Sequence, residues 1–479
     1  MAKQLFNTTE KSNFILNLTE EQYSKLASRG LAATILLSSL TTAIPVLSGI
    51  KMYSLSSVGV TVGGVLCMIL ALIGGIKKYV SKKIAVPAAA MGFSLLWAII
   101  SMVNSYDVLI SINGYPGRGE GVLAIMFYGC IFLTASCIKT EKARKDLLWG
   151  VIANGLLNSF VGIVQIFTGE ISDFSKVSLK IEINAASGFS QSPIFLAMVL
   201  SISIVAAICG LIFFEGKKSK VICVVSICLF SFVNMFTYSL VGICGTALAA
   251  VAGIIILLAA KAPKKNLLSV LGIIVPAAAA VVIVNCGVIG NIDSYRLYDG
   301  RILWFADSYM RLNASGEADS NLVDIDNTAD VYYYMSRKTN DLISKYGLVG
   351  TGPDQLVYPQ LYNFGLMEAD AVYVEDIAGL NKGTFDRMYN EYLNTAATRG
   401  IPSAIAFAVS IIGAFAAGVL NYRKTKNKLT LGLVLITVMG GLLFIICCSS
   451  TAFTPIFWAI AGCSTINPES KAKKTHTNP

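Results

Sequence analysis

Residues 193–214 read PIFLAMVLSISIVAAICGLIFF, an apolar run with no charged side chain. Crossing about 30 Å of hydrocarbon as an α-helix takes roughly twenty such residues, so this stretch reads as a membrane span. Working outward by hydropathy, the span extends over 193–215. Similar runs lie near 31–50, 58–76, 84–103, 121–138, 147–167, 220–238, 241–260, 267–289, 401–421, 429–447 and 450–465. The break at 238–241 rests on Tyr238-Ser239, and the last run is short.

Composition agrees. Of 479 residues, 55% are hydrophobic and 14% charged, with mean hydropathy +0.66, whereas soluble domains carry about 25% charged residues. Alternating ten-residue strands, the mark of a membrane barrel, are absent from the sequence. The expected fold is an all-α integral membrane bundle of about twelve transmembrane helices with one large extracytoplasmic loop domain. Its parts are a polar cytoplasmic leader (1–30), a nine-helix membrane region (31–289), the loop domain (290–399), three C-terminal spans (400–465) and a cytoplasmic tail (466–479). The leader lacks the apolar core of a signal peptide and reads as an interfacial helix or a disordered segment.

Twenty-five of the 38 Lys and Arg residues fall on one side of this topology, in the leader, in alternate short gaps and in the tail. The short gaps on the other side hold Lys51, Arg118, Lys176 and Lys180, and the long 290–399 segment holds nine. Long translocated segments are exempt from the positive-inside rule, so the bias places both termini in the cytoplasm and 290–399 outside. The basic groups are juxtamembrane, suited to anionic lipid headgroups. The outer segment carries sixteen Asp and Glu against nine Lys and Arg, the opposite sign to a nucleic-acid-binding face.

The eleven cysteines lie in or beside predicted spans with no companion histidine, and read as small apolar packing groups. No ionisable residue occupies the interior of a span, which speaks against an ion-coupled carrier. A Walker A sequence is absent. Asp324-Ile325-Asp326 sits in a polar stretch and gives metal dependence no support. No cofactor and no metal are expected.

Polar information gathers at three outer places. Gly114-Tyr-Pro-Gly-Arg118-Gly-Glu120-Gly121 is a tight turn that either offers backbone N–H groups and an arginine to an anion or simply exposes a solvated Arg118. Tyr295-Arg296-Leu-Tyr-Asp299-Gly300-Arg301-Ile-Leu-Trp304 opens an amphipathic stretch. There Arg301 either grips a diphosphate through its planar fork or snorkels to the interface beside a belt tryptophan. The third place joins the turn cluster Gly347-Leu-Val-Gly350-Thr-Gly352-Pro353-Asp354 to Tyr389-Asn390-Glu391-Tyr392-Leu393-Asn394 and Thr398-Arg399-Gly400. On one helix Tyr389, Tyr392 and Leu393 share a face, as do Asn390 and Asn394. These residues either set Asn, Glu and Arg399 at the mouth of the bundle or cap and solvate a helix entering lipid.

In this order the segments resemble the O-antigen ligase and O-antigen polymerase superfamily, particularly its Gram-positive-like members. Gly117-Arg118-Gly-Glu-Gly121 is similar to the family's arginine-glycine turn, and Gly188-Phe-Ser-Gln-Ser-Pro-Ile-Phe-Leu196 to the sequence that opens a middle span. Asp299-Gly-Arg301-Ile-Leu-Trp304 with Gly347–Asp354 resembles its GR…W and G-x-G-P-D pair. Tyr389-Asn390, nine residues and Gly400 match the spacing of its ligase motif. The resemblance implies a GT-C-like bundle in a bacterial cytoplasmic (inner) membrane. It also implies transfer, with anomeric inversion, of a glycan from undecaprenyl diphosphate to a sugar hydroxyl. The partners so implied are a lipid-linked oligosaccharide, a glycan acceptor and membrane lipids.

By this resemblance Arg118 and Arg301 contact the diphosphate and Tyr389-Asn390 stand at the ligase motif; with the residues read at the bundle mouth, Asn390 and Arg399 join the substrate-binding side, and Tyr389 and Glu391 are the catalytic positions. The chain departs from the family in three places. Tyr389 stands where the family has histidine, and the chain's one histidine is His476 in the tail. A tyrosine with a reference pKa near 10 is a poor base, which leaves it to orient a hydroxyl while Glu391 accepts the proton. Tyr238-Ser239-Leu240-Val241-Gly242 lacks the family's mid-chain arginine, and Ser403 replaces Gly, Thr or Tyr. A catalytically silent relative that binds lipid-linked glycan, and a lipid or solute transporter, are the alternatives.

Overall fold

The computed structural model describes residues 17–47, 55–115, 118–168, 185–190, 192–285, 336, 339–356 and 388–466. Among these residues every regular element is a helix. In chain order they are α1 (Glu20–Leu47), α2 (Leu55–Ile76), α3 (Ala85–Ser101), α4 (Val108–Asn113), α5 (Val122–Ala135), α6 (Glu141–Thr168) and α7 (Pro193–Phe213). They continue as α8 (Lys217–Met235), α9 (Leu240–Ala259), α10 (Lys264–Asn285), α11 (Glu391–Arg399), α12 (Ile401–Thr425), α13 (Lys428–Ile446) and α14 (Thr454–Ser464). Each of the twelve apolar runs coincides with a helix. Nine helices among the described residues are long and apolar enough to cross a membrane, and α5 and α14 are shorter apolar helices.

The ends follow local chemistry. Ser239 caps α9 by accepting from Gly242 N at 3.0 Å, with Tyr238 at φ +46° making the break. Asn427 caps α13 through Thr430 N, and prolines open α7, α12 and α14, where the lost N–H is no loss.

Two helices begin more than about four residues earlier than hydropathy predicts. Instead of a separate leader ending at residue 30, α1 starts at Glu20, because Thr19 and Gln22 form a reciprocal capping box. Tyr23 is then buried and donates its hydroxyl to Leu70 O at 2.8 Å. Helix α6 starts at Glu141 and carries a fully buried Arg144 inside the bundle.

The run 193–213 becomes the centre of the molecule. Helix α7 contacts α6, α8, α9 and α13 and is buried over 94% of its most apolar 18 residues, as expected of a helix apolar on every side. Elsewhere close approach depends on small residues: a Cβ on Gly63 would run into Thr34, and one on Gly59 into Thr41 and the Leu37 carbonyl, so α1 and α2 pack backbone to backbone. Ten cysteines among the described residues are free thiols.

Most of the expected loop domain, including Arg301 and Trp304, lies outside the described residues. Its two described parts, 339–356 and 388–399, pack on the helical bundle. A helical stretch at 339–346 buries Leu342 with Leu356, Met388 and Ala397, and α11 lies against α12, α13 and α3.

Candidate functional site

The site is built on a strap, residues 346–355. Thr351 N donates to Ala397 O at 3.0 Å, Gly352 N to Thr398 O at 2.9 Å, and Ile401 N to Gly347 O at 2.7 Å. These bonds hold the strap along the C-terminal end of α11 and the start of α12. Such an approach requires glycine: Gly350 and Gly352 have φ of +82° and +106°, and a Cβ on Gly350 would stand 2.5 Å from Thr398 O. The opposite edge is held by the chain after α3. Trp97 Nε1 donates to Leu348 O and Asn104 Nδ2 to Gly350 O, each at 2.9 Å. Gln355 accepts from Tyr106 N at 2.7 Å and donates to Ser111 Oγ at 2.8 Å and to Asp107 O.

At the end of the strap Asp354 meets Arg118. Nη2 of Arg118 is 2.9 Å from Asp354 Oδ1 and also donates to Asp354 O at 2.9 Å, while Tyr115 N donates to Oδ2 at 2.5 Å. The guanidinium lies 4.7 Å from the centre of the Tyr115 ring, and Arg118 is only 4% exposed. The solvated-turn reading of Arg118 therefore does not hold.

A second buried ion pair sits beside it. Arg399 Nη2 donates to Glu391 Oε1 at 2.7 Å, and the side chains are 9% and 1% exposed. Thr395 Oγ1 donates to the same oxygen at 3.1 Å, and Ser449 N donates to Oε2 at 2.9 Å. Glu391 N donates to Cys447 O at 3.0 Å. Glu391 thereby satisfies irregular backbone between α13 and α14, where 447–453 are buried; non-helical backbone inside a membrane bundle needs such partners. The expectation that α11 merely caps and solvates is overturned by this burial.

Between the two pairs lies a cavity of about 50 Å³, enough for roughly three to five waters at ~10–15 Å³ each. Glu120, Tyr128, Asp354, Glu391, Asn394, Arg399, Ser449 and Thr454 are among the polar residues that line it. Tyr128 donates its hydroxyl to Glu120 Oε1 at 2.6 Å.

Of the residues the sequence singled out, Glu391 and Arg399 line the cavity, and Arg118 reaches it through Asp354. Tyr389 is outside α11 and packs half-buried against the apolar core rather than in the cavity wall. Asn390 is the N-cap of α11, its carboxamide oxygen accepting from Tyr392 N and Leu393 N at 3.1 Å. Tyr389 therefore does not share a helical face with Tyr392 and Leu393 as expected. Arg301 is outside the described residues. The Gly188 segment is fastened elsewhere, Gln165 Oε1 accepting from Ser187 N and Gly188 N at 2.9 and 2.8 Å. Ser403 bonds Ser94 at 2.9 Å across α3 and α12.

Sequence reasoning assigned no role to Glu120, Tyr128 or Ser449. Glu120 stood two residues from Arg118 in a motif already quoted, a usable signal. Tyr128 is one phenol in an apolar helix, and nothing local sets it apart. No protein-family model matches the chain, and comparison with curated proteins finds no match.

Proposed function

We propose that this chain is a membrane glycosyltransferase of the O-antigen ligase and polymerase type. It moves a glycan from an undecaprenyl-diphosphate carrier to a sugar hydroxyl at the outer face of a bacterial cytoplasmic membrane, with about twelve spans and both termini inside. One observation supports this most: two stretches that carry the resemblance, far apart in sequence, converge with the helix that spans the spacer of a third. The turn at 118–121, the strap at 347–354 and the helix at 391–399 surround one polar cavity at the end of the bundle where α5 begins. A lipid diphosphate is an activated leaving group, so the reaction needs positioning and charge stabilisation rather than a nucleotide. Arg301 is the arginine proposed to meet the diphosphate.

The test is a strain lacking the chain, complemented with wild type or Arg301→Ala. Deletion is expected to shorten or abolish a surface polysaccharide, and the variant to fail in restoring it. Surface glycans unchanged in both strains would sink the proposal.

The second reading is a catalytically silent relative that binds lipid-linked glycan. It is favoured by the carboxylate partners that already hold Arg118 and Arg399 and by tyrosine at 389. Transfer of glycan from a lipid-diphosphate donor by the purified wild type would exclude it.

A further inference from the structure

Many polar groups of the cavity wall already have partners inside the protein. Tyr128 donates to Glu120 and Arg399 to Glu391, Thr398 Oγ1 donates to Asn394 O at 2.6 Å, and Ser94 bonds Ser403. Two groups differ. Trp458 lines the cavity one turn after Thr454 on α14, and among the described residues its indole N–H has no hydrogen-bond partner. That N–H is not sealed in either, so it belongs to the small surface that Trp458 keeps, 2%. Edge-to-face contacts with Phe132, Phe407 and Phe457, at 5.8, 6.1 and 4.9 Å between ring centres, hold the indole in place. An indole N–H is a donor only, and when buried it usually has an acceptor.

Asn394 is the second group. It shares a face of α11 with Glu391 and Thr398, and all three line the cavity. Its amide nitrogen is the atom turned to Glu391 Oε2, at 3.5 Å, because an ionised carboxylate only accepts. The carboxamide oxygen has no donor among the described residues and is likewise not sealed in. Elsewhere the wall is apolar, with Met91, Ile125 and Phe407.

The cavity thus offers one donor, one acceptor and an apolar surface in about 50 Å³. A whole sugar ring exceeds that space, so only a substituent enters. A carboxylate has no proton for the Asn394 oxygen, and a hydroxyl leaves the apolar wall uncovered. An acetamido group has a carbonyl for the indole N–H, an N–H for the carboxamide oxygen and a methyl for Phe407 and its neighbours. It also has about as many non-hydrogen atoms as the cavity holds waters.

We infer that the cavity is a specificity pocket for an acetamido sugar, whose acetamido group bonds Trp458 Nε1 and Asn394 Oδ1. The inference rests on the glycosyl-transfer reading above and deepens it by naming the class of sugar, whether that sugar arrives on the lipid carrier or as the acceptor. Trp458 and Asn394 select the substrate and take no part in bond making.

The experiment titrates the full-length protein in detergent with N-acetylglucosamine and with glucose, which differ at one carbon, each free and linked to undecaprenyl diphosphate. Wild type is expected to bind the acetamido sugar at least about tenfold tighter in one arm or both, the joint effect of two hydrogen bonds and a buried methyl. The arm with the preference tells whether the sugar enters free or on the carrier. Trp458→Phe removes the N–H but keeps an aromatic ring. It and Asn394→Ala should each weaken N-acetylglucosamine about two- to tenfold and leave glucose within about twofold. A purely structural role would weaken both sugars alike, and that result overturns the assignment. Equal binding of the two sugars by wild type in both arms, or no binding of either, also overturns it. None of these results bears on the transferase reading, which the deletion strain decides through its surface glycans. Should Trp458→Phe not accumulate in the membrane, Asn394→Ala and the wild-type comparison decide: an undiminished preference in Asn394→Ala overturns the proposal.

Discussion

Buried arginines stand at both ends of this bundle, and they are held by different chemistry. Where α5 begins, Arg118 and Arg399 are paired with Asp354 and Glu391. Where α5 ends, Arg144 is fully buried and its hydrogen bonds go to neutral oxygens: Ile138 O at 3.3 Å, Thr430 Oγ1 at 3.2 Å and Ile466 O. Asn421 joins it, donating to Ser464 O at 3.2 Å and to Ile466 O. Those carbonyls end α14, whose C-terminus is the negative pole of the helix dipole. Arg144 is thus a fastener for the last helix. The paired arginines close the frame of a polar cavity. A buried charge in a membrane bundle marks function by default, yet here its partners separate a structural role from a candidate site.

The largest effect should follow from breaking an ion pair on one side only. Glu391→Ala leaves Arg399 buried without its carboxylate and should destabilise the solubilised protein by about 3–5 kcal/mol. The joint replacement Glu391→Leu with Arg399→Met should recover only part of that loss, since apolar substitutes for a buried pair are often neutral but Ser449 N still loses its acceptor. Thermal unfolding in detergent measures both, and a harmless single variant would break the comparison.

Arg144→Met comes next. It forfeits charge-assisted hydrogen bonds worth about 1.5–3 kcal/mol each, offset in part by relief from burying a charge. Thr430→Ala removes only one of the three bonds and should cost about 1.5–3 kcal/mol, less than Arg144→Met. Equal losses in the two would mean that Thr430, not the helix terminus, holds the arginine.

Gly350→Ala tests the strap. Its φ of +82° and the 2.5 Å approach to Thr398 O predict a loss of about 1–3 kcal/mol, read as earlier proteolysis at the strap and a lower melting temperature. Thr19→Ala, remote from both ends' arginines in role, sets the scale at about 1 kcal/mol through loss of the capping box. A melting temperature unchanged by that substitution would show that α1 does not depend on its cap.

How legible was this in the sequence? Each helix at a predicted run follows from twenty-residue apolar stretches and from caps such as Ser239 and Asn427, signals carried by neighbouring residues. The early starts of α1 and α6 escaped because polar first turns lower hydropathy, although Thr19-x-x-Gln22 was readable as a capping box. For the site, Arg118, Glu391 and Arg399 were named, but their buried pairing was not. Tyr389 was placed on a helix that begins two residues later, because Asn390 takes the cap and turns the chain there.

By itself, then, the order of residues determines where helices form and which of them are greasy enough for lipid, since both depend on contacts within a few residues. Only the tertiary structure decides that Asp354 neutralises Arg118 from 236 positions away and that Glu391 closes the backbone at Ser449. Coulomb attraction and hydrogen bonding act through space at about 3 Å, and hydropathy along the chain carries no record of which distant groups are brought that close.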